Sequence, residues 1–145
     1  MEESEHLEER LAEILLKITF QAKKTNKELS ASLNLTVNEL HCIVVISSET
    51  PGRVSALAGS VGLSITSISK VLRALEKKGL ITRKHTAEDH REEIVRLTDQ
   101  GTIVMDQLLS SSHDRARYVL GNIPAERWTS FLRCISVLSN GVPTD

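Results

Sequence analysis

Ser64-Ile65-Thr66-Ser67-Ile68-Ser69-Lys70-Val71-Leu72-Arg73-Ala74-Leu75-Glu76-Lys77-Lys78-Gly79-Leu80-Ile81-Thr82-Arg83-Lys84 is the stretch on which the fold turns. Ile68, Val71, Leu72 and Leu75 recur at three- and four-residue spacing, which makes one apolar stripe along an α-helix. Ser64 is the expected N-cap. Lys77-Lys78-Gly79 is the expected end, with cations at the negative pole of the helix and a glycine at its C-cap. Facing the stripe into a core leaves Ile65, Thr66, Ser67, Ser69, Lys70 and Arg73 outside. Six cations stand in this stretch against Glu76 alone, a local basic excess within a nearly neutral chain.

Moving outward, Ser55 is expected to cap a short helix over 56–61, where Ala58 and Gly59 are small enough for close helix packing and Gly62 can end it in the left-handed conformation. Two helices with so short a glycine-containing connection form a helix-turn-helix. On the other side, 80–84 and 93–97 are β-capable runs flanking the polar segment His85-Thr86-Ala87-Glu88-Asp89-His90-Arg91-Glu92, which predicts a two-stranded hairpin with a charged tip. Residues 5–27 place Leu7, Leu11, Ile14, Leu15 and Ile18 on one helical face. Thr36-Val37-Asn38-Glu39 is a capping box opening a helix that runs through Leu40, Ile43, Val44 and Ile46 to the turn Thr50-Pro51-Gly52. Thr98 is expected to cap a long helix ending at Gly121-Asn122, and Pro124 to open a last helix with Trp128, Phe131, Leu132, Ile135 and Leu138 on its apolar face. The expected fold is mainly α with a small β-hairpin wing. It comprises an N-terminal helix and connection (1–35), a winged helix-turn-helix lobe (36–101) and C-terminal helices (102–145).

The chain has 145 residues, 40% hydrophobic and 26% charged, with a formal charge of -1, the composition of an ordinary folded domain. Cys42 and Cys134 form no Cys-x-x-Cys pair, which excludes a local zinc knuckle or thioredoxin-type motif. The start is acidic where a secretion signal is basic, and no apolar run is long enough to span a bilayer, so a cytoplasmic protein with no membrane partner is expected. There is no Walker loop, no G-x-G-x-x-G and no H-E-x-x-H. Ser110-Ser111-Ser112-His113-Asp114 has the letters of a catalytic triad, but neighbours on one helix point in different directions. Neither an enzyme nor a cofactor is expected, and no local motif holds a metal.

The elements Leu57-Ala58, Gly62-Leu63-Ser64, Leu75-Glu76-Lys77-Lys78-Gly79-Leu80-Ile81-Thr82-Arg83, Asp89-His90-Arg91 and Leu97-Thr98-Asp99-Gln100-Gly101 resemble, in this order and spacing, the winged-helix DNA-binding module of the MarR family of bacterial transcriptional regulators. The surrounding helices look similar from about residue 5 to 140. The physics agrees independently: an α-helix fits the major groove, where Thr66, Ser67 and Ser69 can bond bases or phosphates and Lys70 can reach guanine or phosphate. Ile65 suits a thymine methyl or a neighbouring helix. An amphipathic helix with a merely solvated basic face is the plainer alternative. The resemblance implies that Arg91 enters a narrow minor groove, positioned by Asp89, with His90 where relatives often have a second cation. Lys77, Arg83, Lys84 and Arg96 are expected at phosphates, while Glu92 and Glu93 beside the wing are unfavourable there.

The resemblance further implies a homodimer whose terminal helices interdigitate through Leu7, Leu11, Ile14, Trp128, Phe131, Leu132, Ile135 and Leu138, on a pseudo-palindromic operator, with repression the commoner mode by analogy. It places a small-molecule effector near Leu15, Ile18, His41, Cys42, Val45 and Met105. Aromatic residues are only 3% of the chain, which favours an aliphatic effector or none. Cys42 reads as a packed thiol or an oxidisable one. His41 with Glu39 and His113 reads as helix packing or, less simply, a metal set. A winged helix that binds protein instead of DNA is the rival reading, since the total charge is close to zero.

Overall fold

Local chemistry sets the helix ends. In the computed structural model, which describes residues 2–48, 52–85 and 93–139, α1 spans Glu2–Ser32 and α2 Val37–Ser48. Asn34 ends α1 in the left-handed region at φ 54°. The Leu35 amide donates to the Ser30 carbonyl at 2.8 Å and the Asn34 amide to Ala31 at 3.2 Å, the paired closure of a Schellman motif in which Asn is the best substitute for Gly. The capping box forms as expected, with the Thr36 amide donating to Glu39 Oε2 at 2.7 Å and the Glu39 amide to Thr36 Oγ1 at 3.2 Å.

β1 (Gly52–Arg53) leads into α3 (Val54–Val61), and α4 covers Ile65–Lys77. Gly62 (φ 72°) and Gly79 (φ 71°) take the left-handed positions expected of them, each with a six-residue closure: Leu63 to Ala58 at 2.9 Å and Leu80 to Leu75 at 3.0 Å. β2 (Ile81–His85) pairs antiparallel with β3 (Glu93–Leu97), Arg83 opposite Val95. α5 (Asp99–Gly121) is unbroken, capped by Thr98, whose Oγ1 accepts from the Gly101 amide at 3.0 Å. A 3-10 turn (Ala125–Arg127) precedes α6 (Trp128–Ser139).

Four expectations are corrected. The sheet has three strands in the order β1-β3-β2, because Gly52 and Arg53 pair with Val95 and Ile94; a two-residue strand is too short to show an alternation. The helix expected to start after Ser55 starts at Val54, with Arg53 at the N-cap and no side-chain cap bond, since β1 delivers the chain directly into the first turn. Gly59 is exposed, and a β-carbon there would meet nothing within 4 Å, so only Ala58 packs closely. Pro124 opens a 3-10 turn before the last helix proper.

The described residues divide into two compact units, one up to Asp106 and one from Gln107 onward. The core of the first lies where α2, α3 and α4 meet one another and the sheet, with Ile43, Leu57, Ile68, Leu72, Leu75, Ile81 and Val95 almost wholly shielded from solvent. In the second, the Trp128 indole N–H donates to the carbonyls of Leu120 (3.1 Å) and Ile123 (2.9 Å), satisfying acceptors that the end of α5 leaves open. No single helix among the described residues is long and apolar enough to cross a membrane.

Candidate nucleic-acid interface

The buried stripe of α4 fixes what the other side of the helix presents. Ile68, Leu72 and Leu75 are fully buried, so the rest of the turn projects away from the core. Ser64, Ile65, Thr66, Ser67, Lys70, Arg73 and Lys77 are exposed, and Ser69 is half-buried. Ile65 is 57% exposed, which leaves much of its side chain available to an external apolar group.

The hydroxyls divide by their partners. Ser64 Oγ accepts from the Ser67 amide at 3.2 Å and donates to Ser67 Oγ at 2.9 Å, closing the N-cap. Ser69 Oγ donates to the Ile65 carbonyl at 2.8 Å. Thr66 has no side-chain hydrogen bond among the described residues, and Lys70, Arg73 and Lys77 have no ion pair there. Among the described residues, one exposed hydroxyl without a hydrogen bond, one apolar side chain and three cations without an ion pair thus share the outer face of α4.

The strands sort their cations by face, because alternate residues point to opposite sides. Ile81, Arg83 and His85 lie on one side with their partners Leu97, Val95 and Glu93; Thr82 and Lys84 lie on the other with Arg96 and Ile94. Arg83 is on the core side, where its guanidinium ion-pairs with Glu93, Nε donating to Oε2 at 3.1 Å. Arg83, expected at a phosphate, is thus engaged by Glu93 in this structure. Glu93, expected to be an unfavourable charge near a phosphate, is instead matched by Arg83 and lies 3.7 Å from His85 Nε2. Lys84 is exposed and unpaired among the described residues. Asp89, His90 and Arg91, with Glu92, lie outside the described residues.

One cation at the end of α4 turns back onto the lobe, a pairing that the sequence did not reveal. Lys78 Nζ donates to Glu39 Oε2 and to the Asn34 carbonyl, both at 2.9 Å. Glu39 is only 3% exposed. Burial alone would raise its carboxyl, but the Lys78 ammonium and the Thr36 bonds outweigh that and hold its pKa below the usual carboxylate value. The signal available was the Lys77-Lys78 pair at a helix end and an Asn at a helix C-cap.

Of the residues expected near an effector, Leu15, His41, Val45 and Met105 are half-buried and Ile18 is exposed. His41 Nε2 lies 3.2 Å from Asn26 Nδ2, joining α2 to α1. Cys42 is completely buried, and desolvation together with the Glu39 charge pushes its thiol up to about 11. That favours the packed thiol over the oxidisable one. Glu39 and His41 are engaged elsewhere, and no group of three or more His, Cys, Asp or Glu among the described residues is placed to hold a metal. The dimer-face residues Leu7, Leu11 and Ile14 are 61%, 54% and 49% exposed. Trp128, Leu132, Ile135 and Leu138 are also exposed, and Phe131 is half-buried.

The sequence model of the MarR family matches residues 35–92, which contain α2, α3, α4 and β2. Over that stretch the chain is similar to the MarR family. Over 134 residues it is 25% identical to the uncharacterized HTH-type transcriptional regulator YdgJ of Bacillus subtilis (strain 168), covering 90% of this chain and 80% of that protein. The fold is similar to that of a MepR mutant from a multidrug-resistant S. aureus clinical isolate, at TM-score 0.81 and 16% identity over 92% of this chain and 97% of that one. Another S. aureus MepR mutant, bound to an oligodeoxyribonucleotide, matches at TM-score 0.63 and 17% identity over 92% and 98% of the two chains. The fold is therefore a winged helix, with α3 and α4 as its helix-turn-helix and β2 and β3 as the stalk of its wing.

Proposed function

We propose that this chain is a sequence-specific DNA-binding transcriptional regulator, acting as a homodimeric repressor on a pseudo-palindromic operator. The observation that supports this best is the outer face of α4, where Ile65, Thr66, Lys70, Arg73 and Lys77 stand exposed opposite a fully buried stripe. An α-helix with that face enters a major groove, Lys70 and Thr66 reaching base edges while Arg73, Lys77 and Lys84 contact phosphates. Ser64, Ser67 and Ser69 shape the helix start through their local bonds. Arg91, positioned by Asp89 and flanked by His90, reaches the minor groove beside the wing. The DNA-bound MepR mutant of similar fold supports the same mode of use.

Residues 36–101 form the DNA-binding lobe in this reading. The exposed apolar faces of α1 and α6 form a two-fold interface, since isolated chains seldom leave so many large apolar side chains in water. The dimer presents two copies of α4 about one DNA turn apart. An aliphatic effector near Leu15, Ile18, His41, Val45 and Met105, with Cys42 as packing behind them, releases DNA if it favours a different spacing of the two heads.

A mobility-shift titration across a salt series tests this. Lys70, Arg73, Lys77 and Lys84 on each of two protomers predict a slope of log affinity against log salt between about −4 and −7. Absence of binding at low salt, or binding without a salt slope, supports a protein-binding winged helix in its place.

A further inference from the structure

Lys77 and Lys78 are adjacent at the end of α4, yet the fold gives them opposite tasks. Both are exposed, but Lys77 has no ion pair among the described residues. Lys78 Nζ is held at 2.9 Å by both Glu39 Oε2 and the Asn34 carbonyl. Its two acceptors belong to the junction between α1 and α2: Asn34 is the left-handed residue that ends α1, and Glu39 closes the capping box that starts α2. Two residues beyond Glu39, His41 meets Asn26 of α1 at 3.2 Å. The first turn of α2 is thus tied to α1 on one side and to the end of α4 on the other.

A buried carboxylate facing a single ammonium is sensitive to geometry, because each group is costly to leave unpaired. Turning or sliding α4 would pull Lys78 from Glu39 and strand a charge that is 3% exposed. We propose that Lys78 and Glu39 are positioning residues for DNA recognition, fixing the orientation of α4 against the α1–α2 junction without Lys78 touching DNA. This rests on the DNA-binding reading above. A loosened α4 can still approach phosphates, which accept a range of poses, but it loses the alignment that base contacts need.

The test uses the full chain and fluorescence anisotropy on two duplexes: one carrying the strongest site this protein selects from a random-sequence library, and a scrambled duplex of equal length and composition. Wild type, Lys77→Gln, Lys78→Gln, Lys78→Arg and Glu39→Gln are titrated from low to moderate potassium chloride, at a temperature where thermal melts show each variant folded. Lys78→Gln is expected to weaken binding to the selected duplex about tenfold, leave the scrambled duplex within about twofold, and keep the salt slope of the wild type. Lys78→Arg restores most of the loss. Lys77→Gln weakens both duplexes and lowers the slope by about 2 for the dimer. Glu39→Gln preserves the capping box and supplies the same comparison if Lys78→Gln does not fold; it is expected to weaken only the selected duplex, with an unchanged slope.

A folded Lys78→Gln that behaves like Lys77→Gln, or like wild type on both duplexes, overturns the positioning role while leaving the DNA-binding reading intact. A wild type that does not distinguish the duplexes overturns that reading, and the inference with it.

Discussion

Gly101 lies against the carbonyl oxygen of Leu80, so close that a β-carbon at 101 would overlap that oxygen and also come within 3.3 Å of Leu97 Cβ. The same carbonyl accepts from the Thr98 amide at 3.0 Å, and Thr98 Oγ1 donates to the Gly79 carbonyl at 2.7 Å. The first turn of α5 is therefore docked on the turn that ends α4. Gly101→Ala must displace backbone, and is expected to cost about 3 kcal/mol by urea unfolding. A loss of less than about 1 kcal/mol would show that the turn yields easily.

Gly59 and Gly79 predict effects of opposite sign. Neither leaves a β-carbon anything to strike, but Gly79 sits at φ 71° whereas Gly59 lies within α3 with no positive φ. Gly59→Ala should stabilise the chain by about 0.5–1 kcal/mol, and Gly79→Ala should destabilise it by about 1 kcal/mol. Thermal melts of the two variants in the same buffer give the comparison.

The Glu39 carboxyl, held below its usual pKa by Lys78 and Thr36 against the opposing effect of burial, makes stability pH-dependent. A depressed folded-state pKa contributes stability that is fully present above the unfolded value and is lost as the pH falls through the folded one. Unfolding free energy should thus decline below about pH 5. Glu39→Gln should decline less steeply over that window, as measured by denaturant midpoints at successive pH values. Parallel curves would show that other carboxylates dominate.

The two thiols should differ in reactivity. Cys42 is buried with its pKa raised to about 11, whereas Cys134 is exposed on α6. At pH 8 a chromogenic disulfide reagent should titrate Cys134 promptly in the folded protein and reach Cys42 only on unfolding. Prompt labelling of a folded Cys134→Ser variant would show that Cys42 becomes accessible in the native state.

The parts of the fold readable from the chain were those set by neighbours. The caps at Ser64, Thr36 and Thr98 each join residues three apart, and the stripe Ile68, Leu72, Leu75 follows the helical period directly. The left-handed ends at Gly62 and Gly79 belong to the same class, since only a residue without a β-carbon takes that conformation freely. β1 escaped notice because a two-residue strand exists only through its pairing with Val95 and Ile94. The start of α3 was misplaced for a related reason, as the strand and not a capping side chain sets it.

For the candidate interface, the sequence by itself determined that a capped helix would show a small, polar and cationic face opposite a buried stripe, with a strand pair following. Only the tertiary structure decided which of those cations are free to meet a partner. Lys77 and Lys78 are alike in sequence, but the partner that distinguishes them is Glu39, 39 positions earlier. Arg83 and Lys84 are likewise separated by the strand register, which turns one inward to Glu93 and the other outward. Helix caps and periodicity act over a few residues, whereas the pairing of a charge depends on which distant backbone the core brings beside it.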